Sequence, residues 1–349
     1  MTVWKSWSEI HSNMRIYRSL AGLPPDFGPS AITIGNFDGV HRGHCEILRR
    51  VKALADGRGW KASVLTFDPH PTKVVAPERA PKLMTTPERR AELMAAAGVE
   101  QILILPFDRA TAQWSPEEFV KQLLVDRLGA RAVLVGDNFR FGCRQAGDTR
   151  TLQALGRQLG FEVETAPTVT CRGQVISSSG IRNLLCAGRI GLANRFLGRP
   201  YALDGDVVTG RGVGAKQTVP TLNLATAGEV IPARGVYVTR TRDLDSARTW
   251  TSVTNVGYRP TFGESDQLSI ESFLLDPLTG DAPLRIHVEF LARLRSERQF
   301  ESPAALKAEI MRDVRAAQNY FRRAHALTQA LTQELNQAWT ASTCPPATS

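Results

Sequence analysis

Ala31-Ile-Thr-Ile-Gly-Asn-Phe-Asp-Gly-Val-His-Arg-Gly-His44 decides how the first half of the chain is read. Ala31–Ile34 is short, apolar and β-branched, the composition of a buried strand. Gly35 and Gly39 then break the pattern. From about His41 onward, Ile47, Leu48, Val51 and Leu54 recur at helical spacing. A strand that exits through glycines into a helix brings backbone N–H groups close to an anion, and the helix N-terminus adds its positive end. His41 and His44 are three apart and share one face of the first turn, where imidazoles donate hydrogen bonds to phosphate oxygens. Each part alone is ordinary: glycines often mark only a turn, and neighbouring histidines usually lie on surfaces. The pair could also share a metal, yet the sequence places no third ligand nearby. Their combination within fourteen residues points to a polyphosphate site.

The chain has 349 residues, enough for two domains that each bury a core. Hydrophobic residues make up 42% and charged residues 22%, the balance of a soluble globular protein. A net charge of +9 favours anionic partners without choosing among nucleotides, nucleic acid and acidic lipid. Cys45, Cys143, Cys171, Cys186 and Cys344 are odd in number and form no C-x-x-C, so they read as reduced thiols in a cytoplasmic protein. Neither a signal-peptide core nor an apolar run of membrane-spanning length is present.

Strands and helices alternate through the first half. Residues 1–30, with Trp4, Trp7 and Ile16, form a surface strand or arm. Lys61–Phe67, Gln101–Leu105, Ala132–Val135 and Phe161–Glu164 read as further strands. Thr86 and Ser115 cap helices that open with Pro87 and Pro116, and Leu152–Leu159 is helical. Repeated βα units predict a doubly wound parallel sheet, whose ligands bind beyond the carboxyl ends of the strands. Asn183–Gly188 closes a helix and Leu192–Gly198 is a second, short one.

From Ala202 to Leu291 short β-branched runs alternate with glycine and proline, the pattern of a small antiparallel barrel. Ser302 caps and Pro303 opens a helix to about Ala338. The predicted domains are residues 1–188 and 189–338, with a disordered tail over 339–349. Gly210-Arg-Gly-Val-Gly-Ala-Lys-Gln-Thr-Val-Pro-Thr-Leu-Asn223 is a second glycine-rich stretch and is not a Walker A sequence. Thr221 and Asn223 are two apart and share a strand face, where their oxygens suit Mg²⁺ carried on nucleotide phosphates. By itself this segment reads better as a β-turn with Pro and Asn.

GNFDGVHRGH resembles the first motif of the bacterial bifunctional riboflavin kinase/FAD synthetase family, whose N-terminal half is a Rossmann-like nucleotidylyltransferase domain. Phe67-Asp-Pro-His-Pro71, Val135-Gly-Asp-Asn-Phe-Arg-Phe-Gly142 and Ile176-Ser-Ser-Ser-Gly-Ile-Arg182 resemble its next motifs, in order. Ser179 stands where threonine is usual and Gly180 where bulkier residues are frequent. The 210–223 stretch resembles the family's riboflavin kinase loop, with Ala215 in place of an arginine and Thr218 in place of a glycine. Pro232–Tyr237, Asn255–Thr261, Ile270–Asp276 and Leu294–Phe300 continue the resemblance, which covers roughly residues 28–325.

The resemblance implies a two-step cytoplasmic enzyme. The C-terminal barrel phosphorylates riboflavin to FMN, and the N-terminal domain joins FMN to AMP from ATP, giving FAD and pyrophosphate. It implies Glu271 as the kinase base, with Mg²⁺ held by Thr221 and Asn223 beside Gly210, Gly212, Gly214 and Lys216. For the adenylyl step it implies His41 and His44 as catalytic groups. Gly35, Phe37, Asp38, Gly39, Ser178, Ser179 and Arg182 fall on the nucleotide side, and Pro71 and Asn138 on the flavin side. Arg295 and Glu297 are implied to contact flavin at the barrel. Two rival readings are a different adenylyltransferase, which leaves the second domain idle, and an RNA-binding protein. The second calls for exposed aromatics on the barrel strands, whereas aromatics are 7% of the chain and no RNP-like string occurs. The implied partners are therefore small molecules, with neither nucleic acid nor membrane.

Overall fold

The computed structural model describes residues 14–208, 221–259 and 267–342. Within these the chain divides into two compact units. The first runs to Leu184 and adds Arg195–Arg199 and Gly228–Val230; the second holds Leu185–Asn194, Pro200–Ala227 and the chain from Ile231.

The first unit is built on β1 (Arg15–Tyr17), β2 (Ser30–Ile34), β3 (Lys61–Asp68), β4 (Gln101–Pro106) and β5 (Ala130–Gly136). A two-stranded ribbon follows, β6 (Arg140–Phe141) with β7 (Gly147–Asp148), then β8 (Glu162–Ala166) and a second ribbon, β9 (Thr170–Cys171) with β10 (Gln174–Val175). The large sheet has the order β1-β4-β3-β2-β5-β8, parallel throughout. Alternation along the strands buries both faces. Ile32, Ile34, Leu65, Leu103 and Val133 meet Phe119, Val120, Leu123 and Leu152 on one side. Val64, Ile102 and Ile104 meet Leu48, Leu93 and Met94 on the other, where Ala31, Ala62 and Ala132 also pack against Val51 and Ala55. The chain leaves β2 toward β3 and β4, then returns to β2's other edge as β5. The loops after β2 and β5 therefore border the crevice where this architecture takes its ligands.

The expected caps form: Thr86 Oγ1 accepts from the Arg89 amide, and Ser115 and Glu118 make a reciprocal capping box. The helix expected over Ser115–Leu124 instead widens to π turns over Phe119–Val125. Asp126 N–H donates to Lys121 C=O and Leu128 N–H to Leu123 C=O, each five residues back at 3.0 Å. The wider turn keeps the adjacent pairs Phe119–Val120 and Leu123–Leu124 buried together. The arm becomes edge strand β1; Trp4 and Trp7 lie outside the described residues. Helices Ser178–Cys186 and Ile190–Leu197 occupy the predicted joint.

The second unit is a closed antiparallel barrel of β11 (Tyr201–Val208), β12 (Thr221–Thr226), β13 (Gly235–Asp243), β14 (Thr249–Arg259), β15 (Gln267–Leu274) and β16 (Arg285–Ser296), ordered β11-β12-β15-β14-β13-β16. Its interior is partly polar. Thr239, Thr241, Ser252, Thr254 and Ser272 are fully buried and bonded hydroxyl to hydroxyl at 2.7–2.9 Å. Val236, Val238 and Val253 point outward and are covered by Ala317 and Phe321 of the helix Pro303–Ser342. That helix runs four residues past its expected end at Ala338, into the segment expected to be disordered; residues 343–349 lie outside the described residues.

Because each buried hydroxyl serves as another's partner, Thr254→Val should leave Thr239 and Ser272 short of a bond and destabilise the barrel by about 1–3 kcal/mol. Denaturant unfolding followed by circular dichroism measures this; an unchanged midpoint would show that the ladder contributes nothing.

Candidate active site

The strand-exit loop between β2 and the helix Arg42–Arg58 has an unusual backbone. Phe37, Gly39 and Val40 all take positive φ, at 49°, 77° and 37°. Only glycine adopts that region without cost, so the loop persists because its surroundings hold it. Its carbonyls are held one after another. Asn36 C=O accepts from Arg90 Nη1 at 2.6 Å, and Asp38 C=O from the Ser178 hydroxyl at 3.0 Å. Gly39 and Val40 C=O accept from Arg199 at 2.6 and 2.9 Å. A Cβ on Gly39 would sit 2.6 Å from Met84 Cε and would carry the strain of φ 77°, so glycine is favoured there.

Asp38 is buried and faces inward. Its carboxylate accepts from the amides of Met84 (2.9 Å) and Thr85 (3.2 Å) and pairs with Arg182 Nη2 at 2.8 Å. Arg182 was expected to reach phosphate and is instead engaged with Asp38. Neither residue, nor Gly39, lines the cavity described below. Ser179 is exposed at the helix start and also lies off that lining, whereas Ser177 Oγ caps the helix by accepting from Gly180 N–H at 3.1 Å.

His41 is the N-cap of the 42–58 helix. Its Nδ1 accepts from the His44 amide at 3.3 Å, which places the ring proton on Nε2. The two imidazoles stack, with centroids 3.6 Å apart and planes 16° apart, and Phe37 meets His44 edge-on at 5.0 Å. Gly43 must be small, because a Cβ there would come within 3.1 Å of the His41 ring. Burial, and after it the nearby Arg199 and Arg182 charges, push His41 down to about 4. Burial, then His41, Arg199 and Arg90, hold His44 well below the ordinary imidazole range. Sequence reasoning gave these rings both donors and charge. In this fold they are neutral donors, because burial next to guanidinium groups disfavours a second proton. His70 is lowered as well, first by burial and then by Arg182. Its Nδ1 accepts from the Thr72 amide and its Nε2 lies 3.0 Å from the Asn36 side-chain amide.

Gly35, Phe37, His41, His44, Pro71, Asn138 and Ser178 all line one cavity of about 860 Å³ at the carboxyl ends of the strands. Phe67, Phe107, Trp114 and Phe139 also line it, among polar and charged residues that include Asp137, Arg140 and Arg144. It has room for a flat, ring-shaped group beside a polyphosphate. Sequence reasoning missed Arg90 and Arg199, which act on the loop from 54 and 159 residues away in the chain. No local signal marks either.

On the barrel, Asn223 of β12 and Asn255 of β14 are the direct cross-strand partners of Glu271 on β15. Thr221, Asn223, Asn255 and Glu271 are half-buried, while Leu222, Thr254, Ile270 and Ser272 between them are buried, so the four share the barrel's outer side. Ser269 donates to Glu271 Oε1 at 2.9 Å. Hydroxyl, amide and carboxylate oxygens on adjacent strands fit a hard divalent ion, which would take its other ligands from phosphates. Among the described residues no cluster of three His, Cys, Asp or Glu stands ready to hold a metal alone. Arg295 is tied to Asp313 at 2.8 Å and to Glu309 at 3.5 Å, so a flavin would have to compete with two carboxylates for it. The Glu297 carboxylate lies over Gly257. Gly210, Gly212, Gly214 and Lys216 lie outside the described residues.

Residues 24–180 match the family model described as FAD synthetase, and residues 197–321 match the one described as riboflavin kinase. A bifunctional riboflavin kinase/FMN adenylyltransferase of Pseudomonas fluorescens is 39% identical over 305 residues, covering 87% of this chain and 97% of that protein. The chain belongs to the bifunctional riboflavin kinase/FMN adenylyltransferase family. The Escherichia coli K12 protein of the same description is 35% identical, over 88% of this chain and 98% of its own. A crystal structure described as a macrolide-efflux protein from Streptococcus pneumoniae superposes with a TM-score of 0.77 at 24% identity, over 88% of this chain and 99% of that one; this likeness is one of fold alone. The enzyme phosphorylates riboflavin to FMN and adenylylates FMN to FAD, using ATP in both steps. Among the described residues no helix is long and apolar enough to cross a membrane.

The lowered histidines give a pH expectation. His41 moves from the ordinary 6.5 to about 4 on folding, so between those values the unfolded chain binds the extra proton. Stability should therefore fall as pH drops from 6.5 toward 4, and change little from this source above 6.5. NMR titration of labelled histidine should find His41 neutral at pH 5.5. Titration near 6.5 in the folded protein would contradict the buried arrangement.

Proposed function

We propose that the two steps are divided between the two units, the first (about residues 1–188) making FAD and the second (189–338) making FMN. In the first, the cavity binds ATP with its phosphates at the helix N-terminus and the flavin of FMN among the aromatic side chains. A phosphate oxygen of FMN attacks the α-phosphorus of ATP, the bond to the bridging oxygen breaks, and pyrophosphate leaves. The nucleophile is already an anion, so the site needs alignment and donors rather than a base. His41 Nε2–H and His44 supply donors at the cavity wall, with the Arg199, Arg182 and Arg90 charges behind them; the Ser178 hydroxyl beside them donates to Asp38 C=O. Pro71 and Asn138 lie toward the flavin. The observation that carries this is the pair of neutral, stacked histidines opening the 42–58 helix at the crevice.

In the second unit the riboflavin hydroxyl attacks the γ-phosphorus of ATP, ADP leaves, and Glu271 takes the hydroxyl proton. Thr221 and Asn223 would hold Mg²⁺, which would supply charge stabilisation when bound. Gly210, Gly212, Gly214 and Lys216 are proposed for the nucleotide, and Arg295 and Glu297 for the flavin. The reading places the enzyme in the cytoplasm and calls for neither nucleic acid nor membrane.

Single substitutions should separate the chemistries. Glu271→Ala should fail to make FMN, by about 10²–10⁴-fold, yet still convert supplied FMN to FAD. His44→Ala should make FMN and stop there. Time courses of riboflavin, FMN and FAD in variants with normal circular dichroism decide it. Loss of both steps from either single change would overturn the two-site reading.

A further inference from the structure

We infer that Arg199 is a positioning residue for the adenylyl step, its guanidinium holding the peptides on either side of Val40 so that His41 and the helix N-terminus are delivered to the nucleotide. The inference rests on the proposed use of that loop as the nucleotide site. Nη2 donates to Gly39 C=O at 2.6 Å and Nη1 to Val40 C=O at 2.9 Å, a two-pronged contact that only arginine can make. In a trans peptide the C=O and the following N–H point in opposite directions. Fixing the Gly39 and Val40 oxygens therefore fixes where the Val40 and His41 N–H groups point. Val40 is β-branched at φ 37°, a conformation that relaxes unless it is restrained. The residue immediately after it is the N-cap.

Arg199 lies within the residues that match riboflavin kinase, 197–321, yet it packs in the first unit. Nothing in its own neighbourhood, Leu197-Gly-Arg-Pro-Tyr201, marks it as belonging to the adenylyl chemistry.

The groups facing His41 are the stacked His44 ring, Arg199, and Arg182 paired with Asp38. Removing Arg199 should therefore loosen the loop and also relieve one of the charges that keep His41 unprotonated. A residue with a purely structural role would lower all activity in step with the amount of folded protein.

The test uses the full chain with Arg199→Met and Arg199→Lys. In Arg199→Met, kcat/KM for converting FMN to FAD should fall about 10²-fold, the scale of a displaced catalytic geometry. Riboflavin phosphorylation in the same preparation should be unchanged, and His41 should titrate at higher pH by NMR. Arg199→Lys keeps the charge and loses the fork, so it should hold the His41 titration low while recovering only part of the rate. Wild-type kcat/KM in Arg199→Met, parallel loss of both activities, or an unmoved His41 titration would each overturn the inference. His44→Ala in the same assay separates the two levels: if it too keeps full adenylyl activity, the site reading has failed rather than the role of Arg199.

Discussion

The first unit depends on one buried carboxylate. Asp38 sits in the strand-exit loop, and its oxygens gather the Met84 and Thr85 amides, the Thr85 hydroxyl and the Arg182 guanidinium. A carboxylate taken out of water this completely is tolerated only when such donors replace the solvent. The requirement fixes three segments against one another: the loop itself, the chain entering the 87–96 helix, and the start of the 178–186 helix. Ser178 bonds the backbone of the same aspartate, so the third segment is pinned twice. Removing either member of the Asp38–Arg182 pair would strand a buried charge, which costs more than the pair itself contributes.

That anchor explains the electrostatics of the cavity. Guanidinium groups of Arg90, Arg182 and Arg199 stand behind the loop, each spent on a carbonyl or on Asp38 rather than presented to ligand. Their positive field remains. It combines with burial to keep His41 and His44 neutral. A bound polyphosphate would oppose that field and favour protonation, so the rings are poised to respond to the charge of what enters. With the proton of His41 already fixed on Nε2 by the His44 amide, no tautomer change is needed to donate.

Much of this was legible in the sequence, and the rest was hidden for identifiable reasons. Strand and helix runs in the first half are strongly periodic, so Ala31–Ile34 and the helix carrying Leu48 and Val51 could be read directly. The glycine and histidine spacing located the cavity because it encodes local backbone geometry. Asp38 and Arg182 were both singled out, but as ligand-facing groups. Their pairing across 144 residues is a tertiary fact with no local trace. Arg90 and Arg199 left no trace at all. The π turns over Phe119–Val125 arise from packing and not propensity. On the barrel, strand Thr221–Thr226 was only half seen, and the alternation that usually reveals strands is blurred where Thr239, Thr241, Ser252 and Thr254 put hydroxyls inside. An inside that is partly polar and an outside partly covered by a helix blur the usual alternation.

The contrast between the two proposed sites follows from what each nucleophile lacks. FMN brings an anionic phosphate to an electrophile that is itself negatively charged. A carboxylate beside the reacting phosphates would add repulsion; Asp38, in the loop after β2, is turned inward and capped by Arg182, and Asp137, in the loop after β5, lines the cavity wall. Riboflavin brings a neutral alcohol that must lose a proton, and there a carboxylate is the useful group. Glu271 stands between Asn223 and Asn255, its direct cross-strand neighbours. Fold alone would not select between these arrangements, since both are loops and strand ends on common scaffolds. The two proposed sites differ in where each unit places a carboxylate: Asp38 is buried against arginine in the first, and Glu271 is half-buried with Asn223 and Asn255 as cross-strand neighbours in the second.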